Sequence, residues 1–251
     1  MRKSVGALTL FLMAVVVLSV AAVAPKSRAA GEENEIPLSK ARIIIEYNST
    51  DEDVGVQVLL DGEPWKNMKI FNPDGRKILD ITGTGSLKKQ GLTELFFESS
   101  EPSLAEVPLE EFLARFPQGV YDFEGTTTEG EQIEGEATFT HVIPAGPVIV
   151  SPVSLTDDPP VVDPNNFVID WKPVTQTLNG SGAIQIVGYQ VIVGQVEPLR
   201  ELLIDLPASV TSLKVPPEFF LQANTEHVFE VLAIEAGRNQ TITTGVFKTA
   251  P

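Results

Sequence analysis

From residue 39 to residue 145, apolar positions recur mainly at every second residue, in short runs parted by turn residues. That is the pattern of antiparallel strands. "ARIIIEY" opens the series, and in "DVGVQVLL" Val54, Val56, Val58 and Leu60 share one face, after which Asp61 and Gly62 are expected to turn the chain. "NMKIF", a Pro- and Gly-bearing turn at Asn72 to Gly75, "RKILDIT", a Gly-rich turn "GTG" and "LTELFFE" continue the meander. The period changes in "SLAEVPLEEFLARFPQG", where Ser103 and Glu106 have capping-box spacing and Leu109, Phe112, Leu113 and Phe116 recur at helical spacing. A short amphipathic helix over about 104–116 is predicted there, lying against an open end of the sandwich. "VYDFEGTT" and "IEGEATFTHV" form a hairpin around "EGEQ", and the Pro-rich "IPAGP" is a hinge of restricted motion that leaves the angle between its flanks open.

After the hinge the pattern yields seven further strands: "GPVIVSP", "NFVIDWKPV", "IVGYQVIVG", "RELLIDLP", "SVTSLKVP", "TEHVFEVLAIEAG" and "TITTGVFKT". That number at that spacing suits an immunoglobulin-like sandwich. Trp171 in "VIDWKPV", Tyr189 in "GYQVIV", and Leu221, Thr225, Phe229, Val231 and Ala233 along "LQANTEHVFEVLA" make residues 146–251 resemble the fibronectin type III family. The resemblance implies that Trp171 is the family's core Trp and Tyr189 its third-strand Tyr. His227 departs from the resemblance, standing where the family usually has its corner Tyr, and Ala223 stands where Pro is common. Residues 39–145 match no family closely, although "FPQGVYDF" and its hairpin resemble immunoglobulin-like bacterial modules. The expected fold is all-β, two tandem immunoglobulin-like β-sandwich domains (39–145 and 146–251), the first with the inserted helix.

The N-terminus has a different grammar. Arg2 and Lys3, the apolar run "VGALTLFLMAVVVLSVAAVA", Pro25 and the small-residue "SRAA" follow one another as in an export signal. Residues 1–29 are therefore expected to be a cleaved signal peptide, followed by a linker over 30–38. The run is also long enough to span a bilayer, so a membrane association follows if the signal stays uncleaved. Its removal takes four basic groups and no acidic ones, leaving 14 basic against 34 acidic residues and a formal charge of −20. A surface of that sign repels phosphate backbones, which argues against nucleic acid as a partner. The chain has no Cys, so lipid attachment to an N-terminal Cys is excluded and stability in an oxidising compartment rests on packing alone.

Candidate chemistry is sparse. With two His, His141 and His227, and no Cys, neither a zinc site nor a nucleophilic triad is readily built. His227 is expected to take over the corner role by donating a hydrogen bond, and His141 to make an interdomain polar contact. Among the acids, Glu94, Glu98 and Glu101 in "TELFFESSEP" are the best local source of a carboxylate pair for glycoside hydrolysis, against the reading that they form a solvated strand face. "GTGS" at Gly83 to Ser86 lacks the Lys-Ser/Thr and the helix that a phosphate loop needs.

"NSTDEDVG", Asn48 to Gly55, poses a choice between a calcium loop and a turn. Asp51, Asp53 and Asn48 supply oxygens of the kind calcium takes, with Asp74 or Asp80 as completing acids from a neighbouring loop. EF-hand spacing is not met, because Gly62 falls where the chelating Glu belongs. Asn and Asp also end strands by bonding their own backbone. Asp157, Asp158 and Asp163 pose the same choice at the domain boundary. Trp65, after a turn, is a candidate platform for stacking a sugar, against a place in the core. Sequons at Asn48, Asn179 and Asn239 matter only where the host glycosylates exported proteins.

The reading is an exported, acidic, non-enzymatic binding or structural protein of the periplasm, cell surface or medium, making protein–protein contact and needing no cofactor, with calcium the one open possibility. A carbohydrate-binding protein using Trp65, or a carboxylate-dependent hydrolase around Glu94 and Glu98, are the alternatives.

Overall fold

The computed structural model describes residues 35–153, 159–195 and 197–251. The expected signal peptide and the acids Asp157 and Asp158 lie outside the described residues. No helix among the described residues is long and apolar enough to cross a membrane.

In the first domain the strands are β1 (Ile36–Pro37), β2 (Lys40–Asn48), β3 (Asp53–Phe71), β4 (Lys77–Thr82), β5 (Leu92–Glu98), β6 (Gly119–Thr127) and β7 (Gln132–Phe139). Helix α1 (Gly85–Gln90) follows β4, and α2 (Leu109–Arg115) follows β5. Much of the domain hangs on β3, a 19-residue strand. Its first half pairs with β2 on one side and β5 on the other, and its second half pairs with β4 and β6. Register shifts near Asp61, Trp65 and Asn67 let it bend and serve both halves of the sandwich.

That bend corrects the expected turn at Asp61 and Gly62, which lie inside β3. A Cβ on Gly62 would stand 2.8 Å from Leu38 Cδ2 and 3.0 Å from Ile133 Cδ1, so this Gly admits close packing across the domain. The core positions record the change of phase: Val54, Val56, Val58 and Leu60, then Trp65, then Met68 and Ile70, all buried. Three smaller corrections follow. The expected linker ends early, because β1 pairs in parallel with β7. The predicted helix begins at Leu109, because Pro108 has no N–H to continue the turn over Ser103 to Val107; Ser103 still bonds the Glu106 carboxylate. The "GTG" turn does lead into a helix, α1, but one of six residues with none buried.

The second domain comprises β8 (Val148–Ser151), β9 (Val161–Val162), β10 (Val168–Lys172), β11 (Ile186–Gln195), β12 (Arg200–Pro207), β13 (Ser212–Lys214), β14 (Glu226–Glu235) and β15 (Gln240–Thr249). A three-stranded sheet, β13-β10-β8, packs on β12-β11-β14-β15. Trp171 and Tyr189 meet between them at 5.4 Å in an edge-on contact, and the Tyr189 hydroxyl accepts the Val174 N–H. This is the fibronectin type III-like sandwich that the aromatic positions implied.

The two domains keep separate cores, one built from residues between Ile43 and Ile143 and one from residues between Phe167 and Phe247. They nevertheless share a sheet. Strand β2 pairs in parallel with β15 through Glu46 and Gln240, Tyr47 and Thr241, and Asn48 and Ile242, joining a 12-stranded sheet. Central strands of this kind are covered on both faces, which explains why Ile43 to Tyr47 are buried without alternation.

Candidate functional site

The seam where β2 meets β15 gathers the buried polar chemistry. Asn239, 1 % exposed, is its keystone: its Oδ1 accepts the Ile45 N–H at 2.8 Å, and its Nδ2 donates to the carbonyls of Thr140 and Val142, each at 2.9 Å. One side chain thus ties the β14–β15 turn to β2 and to the start of the hinge. Glu235 holds Asn239 in turn by accepting its backbone N–H. The Thr241 hydroxyl donates to the Pro144 carbonyl, the Ser49 hydroxyl to the Ile242 carbonyl, and the Thr244 N–H to the Thr50 hydroxyl. The sequon at Asn239 is therefore closed in the folded chain, whereas Asn179 is exposed.

On one face of the seam the carboxyls collect. Glu46, Glu98 and Glu101 bring oxygens within 4.8 Å of one another. Glu46 accepts a hydrogen bond from the Gln240 amide across the seam, and Glu98 accepts one from Gln57 at 2.8 Å. Glu101 packs over Gly55, where a Cβ would meet its Cγ at 2.8 Å; only a residue without a side chain leaves it that place. Glu101 stands beside Glu98, whose charge disfavours ionisation of Glu101. Burial, reinforced by Glu98, holds Glu46 protonated well above the ordinary carboxyl range. Burial followed by Glu98 and Asp53 pushes Glu101 up to about 7, and burial followed by Glu201 and Asp51 raises Glu230, across the seam on β14, to about 7. Asp53 rises to about 6, through burial and then Asp51 and Glu98.

The structure divides the expected calcium ligands. Asn48 spends its Oδ1 on the Thr50 and Asp51 N–H groups and its Nδ2 on the Asp51 carboxylate, the geometry of a strand-ending Asx turn. Asp53 closes the β2–β3 hairpin opposite Asn48 and lies close enough to Glu98 and Glu101 to raise the Glu101 pKa. Of the proposed completing acids, Asp80 is paired with Lys77 and Asp74 lies in the turn after the far end of β3. Asp163 caps its own turn by accepting the Asn165 N–H.

Other expectations resolve one by one. Trp65 is fully buried at the bend of β3, so neither indole face is open to a sugar; the expected platform is core. Glu94 is exposed and separate from the cluster, while Glu98 belongs to it. His141 bonds the Phe116 carbonyl at 2.7 Å, a contact within the first domain that corrects the expected interdomain one. His227 fills the corner position: its Nδ1 bonds the Thr225 carbonyl and its ring stacks on Phe247 at 5.0 Å. Because a carbonyl only accepts, Nδ1 carries the proton, and burial lowers the pKa of the ring.

Sequence reasoning did not single out Glu46, Glu230 or Gln240, and it named Asn239 only as a sequon. The available signal was a carboxylate inside the apolar run "IIIEY"; its partner Gln240 lies 194 residues away and is visible only through the fold.

No family model matches the chain, and no curated protein matches it. Among solved structures it is similar to a two-domain fibronectin type III segment of chicken tenascin: 10% identity, TM-score 0.31, 84% of this chain and 99% of that one. The FN1-FN3 domains of chicken CNTN1 match at 13% identity and TM-score 0.32, over 86% of this chain and 65% of that one. A human collagen alpha-1(XX) fn3 domain matches at 21% identity and TM-score 0.27, over 43% of this chain and 85% of that one.

Proposed function

We propose that this chain is an exported, non-enzymatic binding protein that contacts another protein with its two sandwiches acting as one unit. The observation that carries the reading is the seam: a parallel strand pairing and the buried Asn239 bonds hold the domains together. Surfaces on both domains then meet a partner without the ordering cost that a free linker imposes. Export is supported by the basic, apolar and small-residue order of residues 1–29.

The test uses mature protein from Ala30 as bait, chemical cross-linking to identify the partner, and titration against that purified partner. Wild-type protein should bind at least about tenfold more tightly than an Asn239→Ala variant in which both domains remain folded, a difference of about 1.4 kcal/mol. Equal affinities would remove the joint-surface reading. The competing hydrolase reading draws on the raised pKa of Glu101 beside Glu98, the arrangement of an acid next to a second carboxylate. Turnover of model glycosides that disappears in folded Glu98→Gln would establish it instead.

A further inference from the structure

We propose that the seam between the two domains is proton-gated, closed while the carboxyls gathered at it hold protons and loosened when they ionise. The inference rests on the seam geometry and is independent of any partner. Glu46, Glu98 and Glu101 stand on the first-domain side, and Glu230 and Glu201 on the second, so ionisation sets like charges against each other across the joint.

The surroundings offer little to neutralise them. The β2–β3 turn adds Asp51 and Asp53, which act on Glu230 and on Glu101, and β12 adds Glu201, which acts on Glu230. Gln57 and Gln240 are the neutral partners. Arg42, four residues before Glu46 on β2, has its pKa lowered by burial and then by the neighbouring Arg238 cation. Among the described residues, ion pairs join Lys40 to Asp61, Lys77 to Asp80 and Arg115 to Glu111, none of them a member of the cluster. The parallel pairing at risk is short, three residue pairs.

The direction follows from linkage. Glu46, Asp53, Glu101 and Glu230 hold protons in the folded chain at pH values where the unfolded chain has released them. Their contribution is complete below about 4, the unfolded carboxyl range, and it is lost as pH rises through about 6 for Asp53 and about 7 for Glu101 and Glu230.

Amide hydrogen exchange of the mature chain at pH 5.5 and pH 8, corrected for intrinsic exchange, tests the device. Amides bonded across the seam, those of Ile45, Ser49 and Thr244, should exchange at least about tenfold faster at pH 8, the effect of about one pKa unit, while amides in the centre of β11 hold steady. In Glu98→Gln/Glu101→Gln the acceleration should vanish; Glu230→Gln, from the other side, should reduce it and serves if the double variant does not fold. Equal protection at both pH values, or an undiminished acceleration in the folded variants, overturns the proposal. So does recovery of protection at pH 8 in millimolar calcium, which would make the cluster a cation site.

Discussion

Asn239 shows how much one buried side chain can decide. Its amide satisfies the Ile45 N–H and the carbonyls of Thr140 and Val142 just before the hinge, and truncation would leave all three groups without that partner. Asn239→Ala should therefore cost about 2–4 kcal/mol, measurable as a fall in urea midpoint. His227 sets a pH dependence of the opposite sign to the carboxyls. Its pKa is lowered in the fold by burial, so its contribution is present above the unfolded value near 6.5 and is lost as pH falls below it. His227→Phe should remove that acid-side loss, read by comparing urea midpoints between pH 7 and pH 5. Trp65→Ala should cost about 3–5 kcal/mol, because it empties a core site; the loss would appear as instability of the first domain.

At the scale of elements, the hairpin turn from Asn48 to Asp53 spends its Asn oxygen on backbone N–H groups, leaving a poor set of free ligands for calcium. Thermal melts of mature protein in chelator, in millimolar calcium and in millimolar magnesium should give the same midpoint. A calcium-selective rise lost in Asp51→Asn/Asp53→Asn would make the turn a metal loop, since a ligand specific for the native state must stabilise it. Strand β3 offers a second test. Gly62→Val pushes a branched side chain toward Leu38 and Ile133, and overpacking of this kind should cost about 1–3 kcal/mol. The alternation in β3 was readable over Val54 to Leu60 but failed at Asp61, because Asp-Gly serves a turn and a bend alike and only the strands on either side distinguish them.

Across the whole molecule, two separate cores are joined by a continuous sheet and a polar seam, so coupling depends on the state of that seam. Calorimetry at pH 5.5 should show one transition, and Asn239→Ala at pH 8 should resolve it into two; two transitions in wild type at pH 5.5 would mean the domains unfold independently. The candidate site exists only at this scale. Glu98 and Glu101 are neighbours in sequence, but Glu46 reaches them through the pairing of β2 with β3 and of β3 with β5, and Glu230 through the second domain.

What the sequence determined by itself is what local pattern can encode. Period-two alternation placed the strands, helical spacing placed Leu109 to Phe116 against the first core, and the aromatic positions Trp171 and Tyr189 marked the second sandwich. Its charge set the sign of the surface. Tertiary structure alone decided that "ARIIIEY" is covered on both faces, that Trp65 is core, and that Glu46 meets Gln240. Each of these depends on which distant strand lies alongside, and pairing across nearly two hundred residues leaves no periodicity in the local sequence from which it could be read.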